Sequence, residues 1–128
     1  MPFAHVYLLE GHPQEDVKRL VAELSSLFAE VIAAPRERLR VWVSEVPSYA
    51  RGPVQEETPI VQLHLLAGRP KEQHHALIAG MTDVVERVVG ARRELIRICI
   101  TEVAPDSFGI GGVPASIARK AEIAAREK

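Results

Sequence analysis

The sequence predicts an α+β fold: two tandem β-α-β units forming one four-stranded mixed sheet, with two helices on one face. Three observations carry this prediction. The chain aligns with itself at a constant offset of 57 residues, without a gap, from Pro2–Val46 onto Pro59–Val103, and 15 of the 45 paired positions are identical. Each copy holds two short runs of strand formers. Between those runs lies a stretch of about five helical turns with apolar residues at helical spacing.

The elements follow in order. Phe3–Leu9 is rich in strand formers, and Gly11-His12-Pro13 ends it with turn chemistry. A helix is expected from Gln14 to Ala33. Its residues Leu20, Val21, Leu24, Leu27, Phe28 and Val31 share one side, which must cover a sheet. Leu39–Val46 is the second strand. The polar stretch Gln55-Glu56-Glu57-Thr58 is the joint, which divides the chain into a first unit, 1–57, and a second, 58–128. The second copy repeats the pattern. Ile60–Leu66 is a strand, and Gly68-Arg69-Pro70 is a turn. A helix carries Leu77, Ile78, Met81, Val84, Val85 and Val88 on the matching face, and Ile96–Val103 is the closing strand. A strand, a long helix and a second strand make a parallel pair through a crossover. The sheet face without helices keeps apolar residues, which predicts self-association, sheet against sheet. Beyond Val103 the copies diverge, and a polar helical tail is expected from Ala115 to Glu127.

Composition excludes several classes. With 16 Lys+Arg against 17 Asp+Glu, the net charge of −1 argues against nucleic acid or an anionic membrane as partner. The single cysteine, Cys99, rules out an intrachain disulfide framework and a Cys-cluster metal site. No apolar run reaches the roughly 18 residues of a membrane span, and the first residues lack a signal-peptide pattern. A soluble, cytoplasmic protein is expected.

Met1-Pro2 is the pair with chemical potential. Aminopeptidases remove an initiator Met ahead of a small residue such as Pro, which leaves a secondary amine on a rigid ring. Nearby cations lower the pKa of that amine by opposing a second positive charge. At an effective dielectric of about 20, an Arg roughly 6 Å away contributes about 3 kcal/mol, or near two pKa units. Pro59 has no such chemistry, because its nitrogen is bound in an amide to Thr58.

Four stretches resemble a known family: Pro2-Phe3-Ala4-His5-Val6-Tyr7-Leu8-Leu9-Glu10-Gly11, Pro59-Ile60-Val61-Gln62-Leu63-His64-Leu65-Leu66-Ala67-Gly68-Arg69, Arg97-Ile98-Cys99-Ile100-Thr101-Glu102-Val103 and Phe108-Gly109-Ile110-Gly111-Gly112. The chain resembles the tautomerase superfamily, specifically 4-oxalocrotonate tautomerase, as two short subunits fused head to tail. The resemblance implies an amino-terminal proline base, arginines that hold a dicarboxylate, no cofactor or metal, and a homotrimer of fused chains. It implies Pro2 as the catalytic proline, Arg40, Arg69 and Arg97 as substrate-binding arginines, and Phe108 as the hydrophobic wall. The first copy departs from the pattern, with His12 in place of the arginine and Arg51 in place of the aromatic. The implied activity is a proton shift in a small unsaturated 2-hydroxy or 2-oxo dicarboxylic acid such as 2-hydroxymuconate, from aromatic catabolism.

Other readings compete. The same scaffold could add water to a haloacrylate or decarboxylate a 3-oxo acid, given an acidic residue near the proline; Glu10 and Asp106 are the candidates. It could also serve as a catalytically silent trimeric binding module. Among the remaining polar residues, Arg36, Glu37, Arg93 and Glu94 read as solvated turn residues, and His5 and His64 as strand-face packing. His74 and His75 diverge on a helix and do not share a metal. Trp42 and Cys99 read as core or interface.

Overall fold

The computed structural model describes residues 2–126. The expected removal of Met1 and the last residue of the expected tail helix, Glu127, therefore lie outside the described residues. The first unit runs β1 (Phe3–Leu9), α1 (Gln14–Ile32) and β2 (Arg40–Val46). The second runs β3 (Ile60–Leu66), α2 (Lys71–Val89) and β4 (Arg97–Val103). A short hairpin, β5 (Gly109–Ile110) and β6 (Val113–Pro114), leads into the tail helices α3 (Ala115–Ala118) and α4 (Lys120–Arg126). Among the described residues no helix is long and apolar enough to cross a membrane.

Helix α1 stops one residue short of the expected end because Ala33 turns left-handed, at φ 52°. The next amide, Ala34 N–H, bonds back to Ala29 O at 3.1 Å. The second strands start at Arg40 and Arg97, since Leu39 and Ile96 close tight 3-10 turns over Arg36–Arg38 and Arg93–Leu95.

The sheet order is β2-β1-β3-β4, with each unit's own strands parallel and an antiparallel β1–β3 seam joining the copies. Strand alternation sorts the faces. Ala4, Val6 and Leu8 of β1 and Val61, Leu63 and Leu65 of β3 turn to the helices and are buried. They meet Leu20, Leu24 and Phe28 of α1 and Leu77, Met81 and Val85 of α2 in one shared core. The two helices approach closely at Gly80, where a Cβ would lie 2.8 Å from Leu27 Cδ2. Ile78, expected on the core side, is instead 41% exposed; it sits one position past Leu77, about 100° round the helix.

The opposite face is open. Its register sets Trp42, His5, Gln62 and Cys99 in one row across all four strands. Trp42 is 61% exposed and Cys99 is exposed, which corrects the core alternative for both. Their neighbours Val41, Val43, Ile98 and Ile100 take the helix side, so the row between them must face away.

The register also fixes what meets at each end of the sheet. Phe3 pairs with Arg40 on one side and His64 on the other. The starts of β1 and β2 therefore share an end with the finishes of β3 and β4. Pro2 heads that end, and Pro59 heads the other, one strand length of roughly 20 Å away.

Candidate active site

Pro2 is buried, and its carbonyl accepts the Arg40 amide N–H at 3.3 Å. Two cavities open on it. One, of about 500 Å³, carries Ile32, Leu65, Leu66 and Arg69 on its walls. The other, of about 310 Å³, carries Phe3, Glu37, Arg40 and Phe108. Arg38, Ile110 and Arg119 border both, as Pro2 does. The antiparallel seam explains why second-copy residues are here. Pro2 lies opposite the end of β3, so Leu65, Leu66 and the following turn with Arg69 arrive beside it. The chain leaving β4 brings Phe108 to the same end.

Arg69 is half-buried and donates through Nη1 to Ile32 O at 3.0 Å and Gln73 Oε1 at 3.2 Å. Ile32 is the last residue of α1, so the guanidinium caps a carbonyl that the helix leaves open. Burial, then the field of Arg126, lower the Arg69 pKa against the opposing pull of Glu122. Arg38 donates to Glu122 Oε2 at 2.9 Å, and that bond raises its pKa. Glu122 is held below the usual carboxylate range, first by the Arg38 bond and then by the fields of Arg38, Arg119 and Arg126.

Of the residues expected at the site, Arg40, Arg69 and Phe108 line cavities that contain Pro2. Arg97 of the same chain does not. Its amide donates to Pro59 O at 3.0 Å and its guanidinium to Glu94 O at 2.7 Å, so it repeats at Pro59 what Arg40 does at Pro2. Glu10 accepts from the Ser48 amide at 3.3 Å, and Asp106 accepts from Ser116; neither lines a Pro2 cavity. Glu37, read as a solvated turn residue, borders the smaller cavity. Sequence reasoning missed Arg38, Arg119, Glu122 and Arg126. The repeat steered attention to shared residues, whereas Arg38 pairs with Leu95 and the tail has no counterpart. The break at Arg38 was the available signal.

At the other end the linker packs beside Pro59. Pro59 is fully buried. Arg51 donates to Gln55 O at 2.6 Å, to Glu56 O and to Thr58 Oγ1 at 2.8 Å. The Glu57 carboxylate accepts the Leu9 amide at 2.9 Å and pairs with His12. Arg92 clamps Glu56 through two nitrogens, at 2.5 and 2.8 Å. What remains is a largely apolar hollow of about 490 Å³ between Tyr7, Val46, Val54 and Ile60.

Among the other histidines, His5 has a local partner, whereas His64 Nδ1 and His74 Nε2 are buried without one. His5 Nε2 lies 2.6 Å from Ser44 Oγ, and His64 stacks on Phe3 with ring centres 4.4 Å apart. His74 lies 3.8 Å from Glu102, too far for a hydrogen bond. Among the described residues no group of three or more His, Cys, Asp or Glu is placed to hold a metal ion.

Fold and site together define a duplicated β-α-β protein with a proline at the head of each copy and a cation-rich pair of cavities around the first. The chain belongs to the tautomerase family: the model of the tautomerase enzyme matches residues 2–54 and again 59–117. Among its relatives, a 2-hydroxymuconate tautomerase of Pseudomonas putida is 45% identical over 58 residues, which is 45% of this chain and 92% of that protein. A probable tautomerase of Staphylococcus aureus is 44% identical over 55 residues, 43% of this chain and 90% of that protein. Among solved structures, a native fused 4-OT matches with a TM-score of 0.84 at 30% identity, over 91% of this chain and 99% of that one. A wild-type fused 4-OT asymmetric trimer matches with a TM-score of 0.85 at 32% identity, over 91% of this chain and 98% of that one. The chain is thus a two-unit member of a family of isomerases.

Proposed function

We propose that the protein is a cofactor-free tautomerase that ketonises a small unsaturated 2-hydroxy dicarboxylic acid such as 2-hydroxymuconate, with Pro2 as general base after removal of Met1. The observation that carries this reading is the place of Pro2 at the meeting point of two cavities lined by Arg38, Arg40, Arg69 and Arg119. Burial and surrounding cations both disfavour a protonated amine, so the freed nitrogen stays neutral and basic. It takes the proton from the 2-hydroxyl and returns it further along the conjugated system. Arginines hold the carboxylates by charge-assisted bonds and stabilise charge building on the 2-oxo oxygen. Phe108, with Ile110, excludes water from the amine. The joint between the units falls between Glu57 and Thr58.

The working form is a cytoplasmic homotrimer. The fused 4-OT trimers support it, as does the open sheet face with Trp42 and Ile60 exposed. Arg97, placed beside Pro59 in its own chain, reaches a Pro2 site only across a subunit boundary. Light scattering should give about three times the 14.1 kDa chain mass.

An ultraviolet assay with 2-hydroxymuconate on wild type and Pro2→Ala tests the mechanism. Loss of about 10²- to 10⁴-fold in kcat/KM is expected, the range of general acid–base catalysis. Equal activity, or an intact mass that retains Met1 in an active enzyme, overturns it.

A further inference from the structure

The tail beyond the second family match carries groups that neither copy of the repeat provides. The match ends at residue 117, and Arg119, Glu122 and Arg126 all border the larger Pro2 cavity. Their placement follows from the chain. Ala115 is fully buried, and its amide bonds Phe108 O at 2.8 Å, which anchors the tail to the hydrophobic wall. Arg119 N–H bonds Ala115 O at 2.8 Å and Ile123 N–H bonds Arg119 O at 3.0 Å, so helical spacing runs through the junction. Arg119 itself turns out of the helix at φ −123°, and within α4 positions 122, 123 and 126 share one face. Ile123 lines a small cavity with Ala67 and Gly68, and Glu122 ties the same face to Arg38.

The cavity is over-supplied with positive charge. Arg38, Arg69, Arg119 and Arg126 border it against one carboxylate, Glu122, which Arg38 already engages. The field of Arg126 adds to burial in opposing the charge on Arg69. Arg69 also has one terminal nitrogen committed to Ile32 and Gln73. Like charges gathered round an apolar floor need an anion to balance them. Among the described tail cations, Arg119 alone borders both cavities beside Pro2.

We propose that Arg119 is a substrate-binding residue that holds the second carboxylate of a dicarboxylate substrate, with Glu122 as the positioning residue that keeps the tail over the site through Arg38. The inference rests on the tautomerase reading of the Pro2 site. It makes the tail the element that selects dicarboxylates over monocarboxylates.

The test compares wild type, Arg119→Ala, Arg119→Lys and Glu122→Gln on 2-hydroxymuconate, a dicarboxylate, and phenylenolpyruvate, a monocarboxylate. Arg119→Ala should raise KM for 2-hydroxymuconate roughly 10- to 100-fold, the worth of a charge-assisted bond, and lower kcat/KM for phenylenolpyruvate by a clearly smaller factor. Arg119→Lys keeps the charge without the fork and should fall between. Glu122→Gln should raise KM for the dicarboxylate with kcat little changed, and Glu122→Asp should restore part of the loss. Titration calorimetry with adipate, an unreactive dicarboxylate, supplies a readout independent of chemistry: wild type binds it and Arg119→Ala binds it at least about 10-fold more weakly. Equal losses on both substrates, or unchanged adipate affinity, overturn the proposal. Full activity in Pro2→Ala overturns the proline base instead and leaves the adipate result to decide the role of Arg119.

Discussion

The two ends of the sheet begin from the same sequence pattern and finish in opposite states. At the first, Pro2 borders two cavities among guanidinium groups, with Arg69 from one side and Phe108 from the other. At the second, Pro59 is fully buried, and His12, the repeat partner of Arg69, holds the chain's own Glu57, which also accepts the Leu9 amide. One covalent fact accounts for both differences. The peptide bond to Thr58 removes the basic lone pair from Pro59, and the linker which that bond requires then packs beside it. Fusion therefore sets Pro59 apart from Pro2 twice, by the amide chemistry of its nitrogen and by the linker groups packed beside it.

The contrast can be broken most directly at the prolines. Beside the large loss expected for Pro2→Ala, Pro59→Ala should keep kcat/KM within about 3-fold in the same assay, because an amide nitrogen contributes no base. A large loss in Pro59→Ala without a change in thermal midpoint would erase the distinction between the ends. Next in size is the Pro59 end. Glu57→Ala removes a charge-assisted bond to a backbone amide and the pairing with His12, and should cost about 1.5–3 kcal/mol in urea denaturation with turnover unchanged.

Acid sharpens the comparison at the tail. The Glu122 pKa is lowered in the folded protein, so its contribution is present above the ordinary carboxylate pKa and is lost as pH falls through the lower folded value. As pH falls below the ordinary carboxylate range, the protection of the Ile123 amide, its exchange measured against the unstructured rate at the same pH, should drop, and Glu122→Gln should remove that drop. The smallest effect belongs to the helix ends. Ala33 sits left-handed where its repeat partner is Gly90, and it borders the Pro2 cavity. Ala33→Gly relieves that strain against the greater freedom of glycine when unfolded, and should stabilise by about 0.5 kcal/mol in denaturant titration.

Much of this was legible before any coordinates. Matching apolar spacing in Leu20, Leu24, Phe28 and in Leu77, Met81, Val85 specified two helices with one buried side each, and the repeat specified two equivalent units. Local patterns of this kind are written in neighbouring residues, so a linear reading recovers them. The assignment of Trp42 and Cys99 to the open face needed the register, because short strands with apolar residues on both sides do not reveal which side the helices cover. The tail residues escaped because their partners are remote: Glu122 and Arg38 are 84 positions apart.

The sequence by itself determined the duplication, the strand–helix–strand order, a proline at the head of each copy, and the family. Only the tertiary structure decided that β1 and β3 run antiparallel. That choice puts Arg69 and Phe108 with Pro2, Arg97 with Pro59, and the tail's cations over the first site. The physical reason is reach. Spacing along the chain governs what one helix face or strand presents, whereas strand direction governs which distant ends meet, and the charges that gather there act through space.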